Sequence, residues 1–133
     1  LVGRFRETRR ALKAIALGAN AAALTAWSND YDFPSAFARE VEAFGEPGGV
    51  LLAISTSGHT ATLLAAAAAA RVKGMAVIGL TGETGGRLTP LVDILLAAPA
   101  QATPLVQQVH LCIYHYLCAE IEARVAASER PSA

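Results

Sequence analysis

Between Val50 and Leu80 the sequence VLLAISTSGHTATLLAAAAAARVKGMAVIGL holds two apolar runs of strand length, separated by an alanine-rich stretch that ends at Lys73–Gly74. An apolar run without alternation is the pattern of a strand covered on both faces, which is the habit of parallel sheets. Two parallel strands need a crossover of a dozen or more residues between them. The segment from Thr60 to Lys73 supplies that crossover. Alanine is the strongest helix former and lets a helix lie close to a sheet, and Gly74 is a natural stop. This unit constrains the fold more than any other feature of the chain.

The flanking sequence extends the same pattern. LKAIAL (12–17) reads as a short buried strand. NAAALTAWSND (20–30) opens on Asn20, a good N-cap, and reads as a helix ending near Asn29–Asp30. Pro34 stands near the start of a further helix, with Phe37, Val41 and Phe44 spaced on one face and Gly45 as its stop. EPGG is a turn before the strand at 50–55. MAVIGL (75–80) is the next strand, TGETGGRLTPLV a glycine-rich loop with room for a helical turn, and DILLAAP (93–99) a fourth strand. One long helix runs from Pro104 to about Ala127. Strands alternating with crossover helices imply a doubly wound parallel sheet flanked by helices, in an α/β domain.

Composition narrows the function classes. The 133 residues suit one domain with a sizeable core. Eleven basic and eleven acidic residues give no net charge, so nothing electrostatic points to nucleic acid or an anionic membrane. No apolar stretch approaches the roughly 20 residues needed to cross a bilayer. The apolar fraction is 53% but aromatics are only 6%. Small aliphatic residues must therefore make the core, and the surplus of apolar surface points to an oligomer. Cys112 and Cys118 are six apart on a helix, on different faces, which disfavours a metal pair or local disulfide and fits a reducing cytoplasm.

The chemistry concentrates at the turn ISTSGHT (54–60). Ligands of open parallel sheets bind beyond the carboxyl ends of the strands. Ser55, Thr56, Ser57 and Thr60 stand at that edge, where a helix start also presents free amides and the positive end of its dipole. Such an arrangement suits a phosphate group. The loop has no lysine and lacks the P-loop spacing, so a single phosphoryl group, as on a sugar phosphate, is the better match. The plainer alternative, a helix cap, needs only one hydroxyl.

These residues also carry a likeness. GGVLLAISTSGHTATLLAAAAAARVKGMAVIGLTGETGGRL, with LVGRFRETRRALKAIAL, ALTAWSNDYDF and VQQVHLCIYHYLCAEIE in order, resembles the sugar isomerase domain. Within it, the likeness is to the sedoheptulose-7-phosphate isomerases, or phosphoheptose isomerases. The resemblance implies a flavodoxin-like three-layer sandwich and a cytoplasmic homotetramer. It also implies an enzyme that interconverts sedoheptulose 7-phosphate and D-glycero-D-manno-heptose 7-phosphate, the first step toward activated heptoses of lipopolysaccharide or other surface glycans.

By that resemblance Ser55, Thr56, Ser57 and Thr60 match the family's phosphate-binding hydroxyls, with Thr60 in place of a more usual serine. Asn29 and Asp30 match a pair that contacts the sugar, and Arg4 an arginine near the active site. Gln107 and His115 match active-site residues of the last helix that are also zinc ligands in members with metal. Their eight-residue spacing, about 12 Å on an ideal helix, would not by itself point to zinc. His59 departs from the family, which usually has Asn there. The family's first helix, its C-G-N-G-G-S loop and a helix bearing a His and a catalytic Glu have no counterpart here. That Glu would fall immediately before Leu1, so this single domain is expected to lack its N-terminal helix and first strand.

Moving a carbonyl between C1 and C2 needs one group for the carbon-bound proton and another for the oxygens. An imidazole, with an unperturbed pKa near 6.5, is suited to either role. His115 is the expected acid/base, Gln107 and Asp30 would orient hydroxyls, and His110, five residues earlier on another face, reads as structural. Glu83 and Arg87 read as a solvated loop, and the four arginines of RFRETRR as a solvated face or subunit contact. Two other classes compete: a non-catalytic relative of the replication-initiator-associating type, and a phosphosugar-binding regulator. Relatives of the first type resemble STRGN at the loop and lack the last-helix histidine, whereas this chain has Ser57 and His115.

Overall fold

The structure, a computed structural model, describes residues 1–129. Helix α1 spans Ala21–Asp30, α2 Ala36–Phe44, strand β1 Val50–Ile54, α3 Ala61–Val72, β2 Ala76–Thr81, β3 Ile94–Ala97 and α4 Thr103–Ser128, with a 3-10 helix at Gly86–Leu91 before β3. The Asn20 side chain accepts from the Ala23 amide, 3.2 Å away, and starts α1 as its N-cap. α2 stops at Gly45, and Gly74 adopts φ +71° just after α3.

Among the described residues the sheet has three parallel strands in the order β1-β2-β3. Val50 pairs with Ala76 and Ile54 with Leu80, while Ile78 pairs with Ile94. Because side chains alternate along a strand, Leu51, Ala53 and Val77 share one face. That face buries against Ala66, Ala67 and Ala70 of α3, with Val41 of α2 and Leu88 of the 3-10 helix closing the cluster. The alanine run is thus the packing surface that brings α3 down onto the sheet. Ala67 is fully buried there, so Ala67→Leu is expected to destabilise by about 1–3 kcal/mol through overpacking. An unchanged melting temperature would show spare volume that the packing does not predict.

The other face carries Val50, Leu52, Ile54 and Ile94, all exposed among the described residues, and Leu80, which is fully buried. Helix α4 packs against β2. The parallel sheet flanked by helices therefore agrees with the sequence reading.

Two details of that reading are corrected. Residues 12–17 form no strand, and Ile15 is exposed. A strand persists only where a neighbour takes up its amides and carbonyls, and no strand of the described sheet lies beside this segment. It runs instead as an irregular strap tied by Lys13 to Glu46, 2.7 Å, and by the Gly18 amide to Glu40, 2.7 Å. Among the described residues the sheet consequently has three strands, not four. Asp93, read as a strand residue, closes the start of β2: its carboxylate accepts from the Val77 amide at 2.7 Å and pairs with Arg71.

Candidate functional site: the loop between β1 and α3

β1 ends at Ile54, and residues 55–60 carry the chain into α3. The backbone of this loop is fixed at several points. The Ser55 amide donates to Leu80 O at 2.9 Å, the Gly82 amide to Thr56 O at 2.9 Å, and the Leu88 amide to Gly58 O at 2.9 Å. Gly58 has φ +67°, and a Cβ there would lie 2.0 Å from Gly85 O. A Cβ on Gly86 would in turn meet Ser57 O at 2.4 Å. The glycine-rich stretch TGETGG is thus the mould against which the hydroxyl loop is set, a role its composition alone does not reveal.

Within the loop the hydroxyls divide their work. Ser55 is buried; its Oγ accepts from the Gly58 amide at 3.1 Å and shares a hydrogen bond of 2.8 Å with Thr60 Oγ1. Thr56 is half-buried, while Ser57 and Thr60 are exposed. Ser57 Oγ accepts from the His59 amide at 3.2 Å. Thr60 occupies the N-cap position of α3 without a side-chain capping bond. The simple capping alternative therefore fails at Thr60, and the first amides of α3 are left for another acceptor. Exposed hydroxyls, the first two amides of α3 and the positive end of a helix dipole on a pinned backbone are an arrangement that could seat an anion. His59 is exposed at its edge.

α4 begins beside this seat. A Cβ on Gly82 would lie 3.5 Å from Val106 Cγ2 and 2.7 Å from Thr56 O, so Val106 and the loop flank the same glycine. Gln107 follows Val106 and is exposed. His110 is buried, and its Nε2 donates to Thr81 O at 3.0 Å, which ties α4 to the carboxyl end of β2 in the structural role expected of it. His115, exposed, lies 5.6 Å from the Phe5 ring and 4.9 Å from the Tyr114 ring, centroid to centroid. Arg4, next to Phe5, is exposed.

Asn29 and Asp30 are both exposed. They stand at the end of α1, Asn29 Nδ2 donating to Asp30 Oδ1 at 3.1 Å. α1 packs against α2, where Asp30 shares a shallow pocket of about 290 Å³ with Trp27 and Arg39. No hydrogen bond among the described residues joins this pair to the loop. Glu83 and Arg87 are exposed, and Glu83 accepts from Gln101 Nε2. The fold thus brings the start of α4 to the loop through Gly82 and Val106, while His115 stands about two turns farther along α4 and the N-D pair at the end of α1.

For zinc, Gln107 and His115 offer two donors on one helix. Among the described residues no group of three His, Cys, Asp or Glu side chains could hold a metal ion. A four-coordinate zinc site is not complete within these residues.

With this geometry in view, comparison with known proteins is decisive. The family model described as SIS domain matches residues 1–82, more than half of the chain. The chain belongs to the SIS domain family. It is 48% identical over 126 residues to a phosphoheptose isomerase of Crocosphaera subtropica, covering 95% of this chain and 64% of that protein. A phosphoheptose isomerase of Bradyrhizobium (strain ORS 278) is 48% identical over 130 residues, covering 98% of this chain and 66% of the relative. Among solved structures, a phosphoheptose isomerase from Francisella tularensis superposes with a TM-score of 0.88 at 38% identity, over 92% of this chain and 66% of that one. The SIS chain described here thus spans just under two thirds of these relatives' length.

Two features of this SIS chain escaped the sequence reading. One is the moulding of the loop by Gly85 and Gly86. The other is Glu122, fully buried in α4. Its partners are the amides of Phe5, Arg6 and Glu7 and the guanidinium of Arg9. Contacts across more than a hundred residues leave no local signal.

Proposed function

We propose that this chain carries the phosphate seat and the acid/base histidine of an aldose–ketose isomerase acting on sedoheptulose 7-phosphate. The observation that carries the reading is the loop at 55–60: a glycine-moulded backbone with Ser57 and Thr60 exposed at the start of α3, where Thr60 makes no side-chain cap. The similarity to phosphoheptose isomerases supplies the class of substrate.

In this reading the phosphate is bound by Thr56, Ser57, Thr60 and the first amides of α3, with Ser55 bracing them from inside. The anchor lies away from the reacting carbons and holds them in register. A base takes the proton from C1 of the ketose and returns it to C2 through an enediol, while a second group moves a proton from one oxygen to the other. His115 is assigned to this pair, and Gln107, Asp30, Asn29 and Arg4 to orienting the sugar. The product is the aldoheptose phosphate that activated-heptose synthesis consumes. Zinc would use Gln107 and His115 with donors beyond this set, and would serve there as a Lewis acid for the sugar oxygens.

A cytoplasmic homotetramer completes the proposal. Its support is the exposed apolar surface: Val50, Leu52 and Ile54 on the sheet, and Leu105, Leu111 and Tyr116 on α4. No helix among the described residues is long and apolar enough to cross a membrane. A monomer in sedimentation velocity of the full-length protein would remove the tetramer.

The phosphate seat is tested by Ser57→Ala combined with Thr60→Ala. Loss of two hydroxyl contacts to a charged ligand is expected to weaken sedoheptulose 7-phosphate binding by about 3–6 kcal/mol, at 1.5–3 each, measured by calorimetry on the full-length protein. Unchanged affinity would refute the site. Binding without turnover in the wild type would favour the phosphosugar-binding regulator.

A further inference from the structure

The strap at residues 1–18 has no regular structure, yet one part of it is tied more firmly than the rest. Phe5, Arg6 and Glu7 present three successive amides to the Glu122 carboxylate, at 2.8 Å for Phe5 and 2.7 Å for Glu7. Successive amides turned to one point form an anion-binding concavity, and here the anion is a side chain of α4. Arg9 closes it: one guanidinium nitrogen reaches Glu122 at 3.1 Å, and the group also donates to Leu1 O at 2.8 Å and Gly3 O at 2.7 Å. Both side chains are essentially excluded from water, 1% and 0% exposed. The strap's other ion pairs, Arg10–Glu129 and Lys13–Glu46, are solvated.

The geometry points beyond stability. Glu122 is seven residues after His115, two helical turns, so the two share a face of α4. The strap crosses that face at Glu122, and the Phe5 ring leans back onto the His115 imidazole at 5.6 Å and 32°. Arg4 lies between two fixed points, Gly3 O on Arg9 and the Phe5 amide on Glu122. We infer that Glu122, clasped by Arg9, is a positioning residue that sets Phe5 against the His115 ring and holds Arg4 beside it. This rests on the isomerase reading for the role of His115, though the clasp itself does not.

Burial pushes the Glu122 carboxyl up, but the amides of Phe5, Glu7 and Arg6 and the Arg9 charge outweigh it and hold the group at about 2. A carboxylate depressed from 4.5 to about 2 contributes fully above about pH 4.5 and loses its contribution as pH falls toward 2. The clasp is therefore intact throughout the range in which an imidazole titrates.

The test uses Glu122→Gln and Arg9→Lys in the full-length protein, with Glu129→Gln as control. Two readings are taken: the Hε1 resonance of His115, which senses the Phe5 ring, and kcat on sedoheptulose 7-phosphate. Misplacing a reacting group by about 1 Å costs on the order of 10²-fold, so Glu122→Gln is expected to lower kcat by about that factor and shift the His115 line. Arg9→Lys, which keeps the charge but not the fork, should do both to a smaller degree, and Glu129→Gln neither. Should Glu122→Gln fail to fold, Arg9→Lys carries the same two readings. A folded variant with an unmoved His115 line and wild-type kcat overturns the proposal. A wild type without isomerase activity would instead sink the functional reading, leaving the His115 line to judge the clasp.

Discussion

His115→Ala is expected to lower kcat on sedoheptulose 7-phosphate by about 10²–10⁴-fold, the usual contribution of a positioned acid/base, while substrate affinity changes little. The reasoning separates the two ends of the ligand. In the proposed reading the phosphate sits at the 55–60 loop, whose hydrogen bonds among the described residues do not involve His115, so removing the imidazole should leave that loop intact. His115 is exposed and faces Phe5 and Tyr114 rather than the core, so its loss should cost little stability. Single-turnover kinetics with calorimetry distinguish the outcomes. Turnover at the wild-type rate would remove His115 from the chemistry. A collapse of affinity together with rate would place it on the phosphate instead.

Gly58→Ala should be the most damaging substitution in the loop. At φ +67° an L side chain is strained by about 1 kcal/mol or more. The added Cβ would also fall 2.0 Å from Gly85 O, a backbone atom that cannot rotate away. Together these predict a loss of about 3 kcal/mol or more, with phosphate binding lost as the loop separates from its glycine mould. Gly48→Ala isolates the backbone part. Gly48 has φ +79° but nothing within 4 Å of a Cβ, so only about 1 kcal/mol is expected there. Equal melting temperatures for the two variants would show that the Gly58–Gly85 contact is not tight.

Much of this was legible in the residues because it is local. Asn20 capping α1, Gly45 and Gly74 as stops, and the alanine run as a crossover helix depend on neighbours a few positions away. The placement of hydroxyls at the end of β1 follows from the same short-range logic. LKAIAL was misread for the complementary reason: an apolar run states that burial is available, but a strand needs a partner for its amides. Residues 12–17 have no such partner in the described sheet.

At the site, the sequence could count four hydroxyls but not assign them. Ser55 turned inward to Gly58 and Thr60, while Ser57 and Thr60 stayed at the surface. Likewise it could nominate His115 but not show what the ring touches. Glu122 was invisible, since a glutamate in a helix of mixed composition gives no sign that three amides over a hundred residues away will surround it.

By itself, then, the amino-acid order determined the crossover unit, its turn and the helix that bears His115, because periodicity and capping act over one or two turns. Tertiary structure decided which hydroxyl residues are buried and which exposed, which glycines shape their backbone and which carboxylate ties the strap to α4. Those outcomes rest on burial and on hydrogen-bond partners remote in the chain, and only packing brings such groups together.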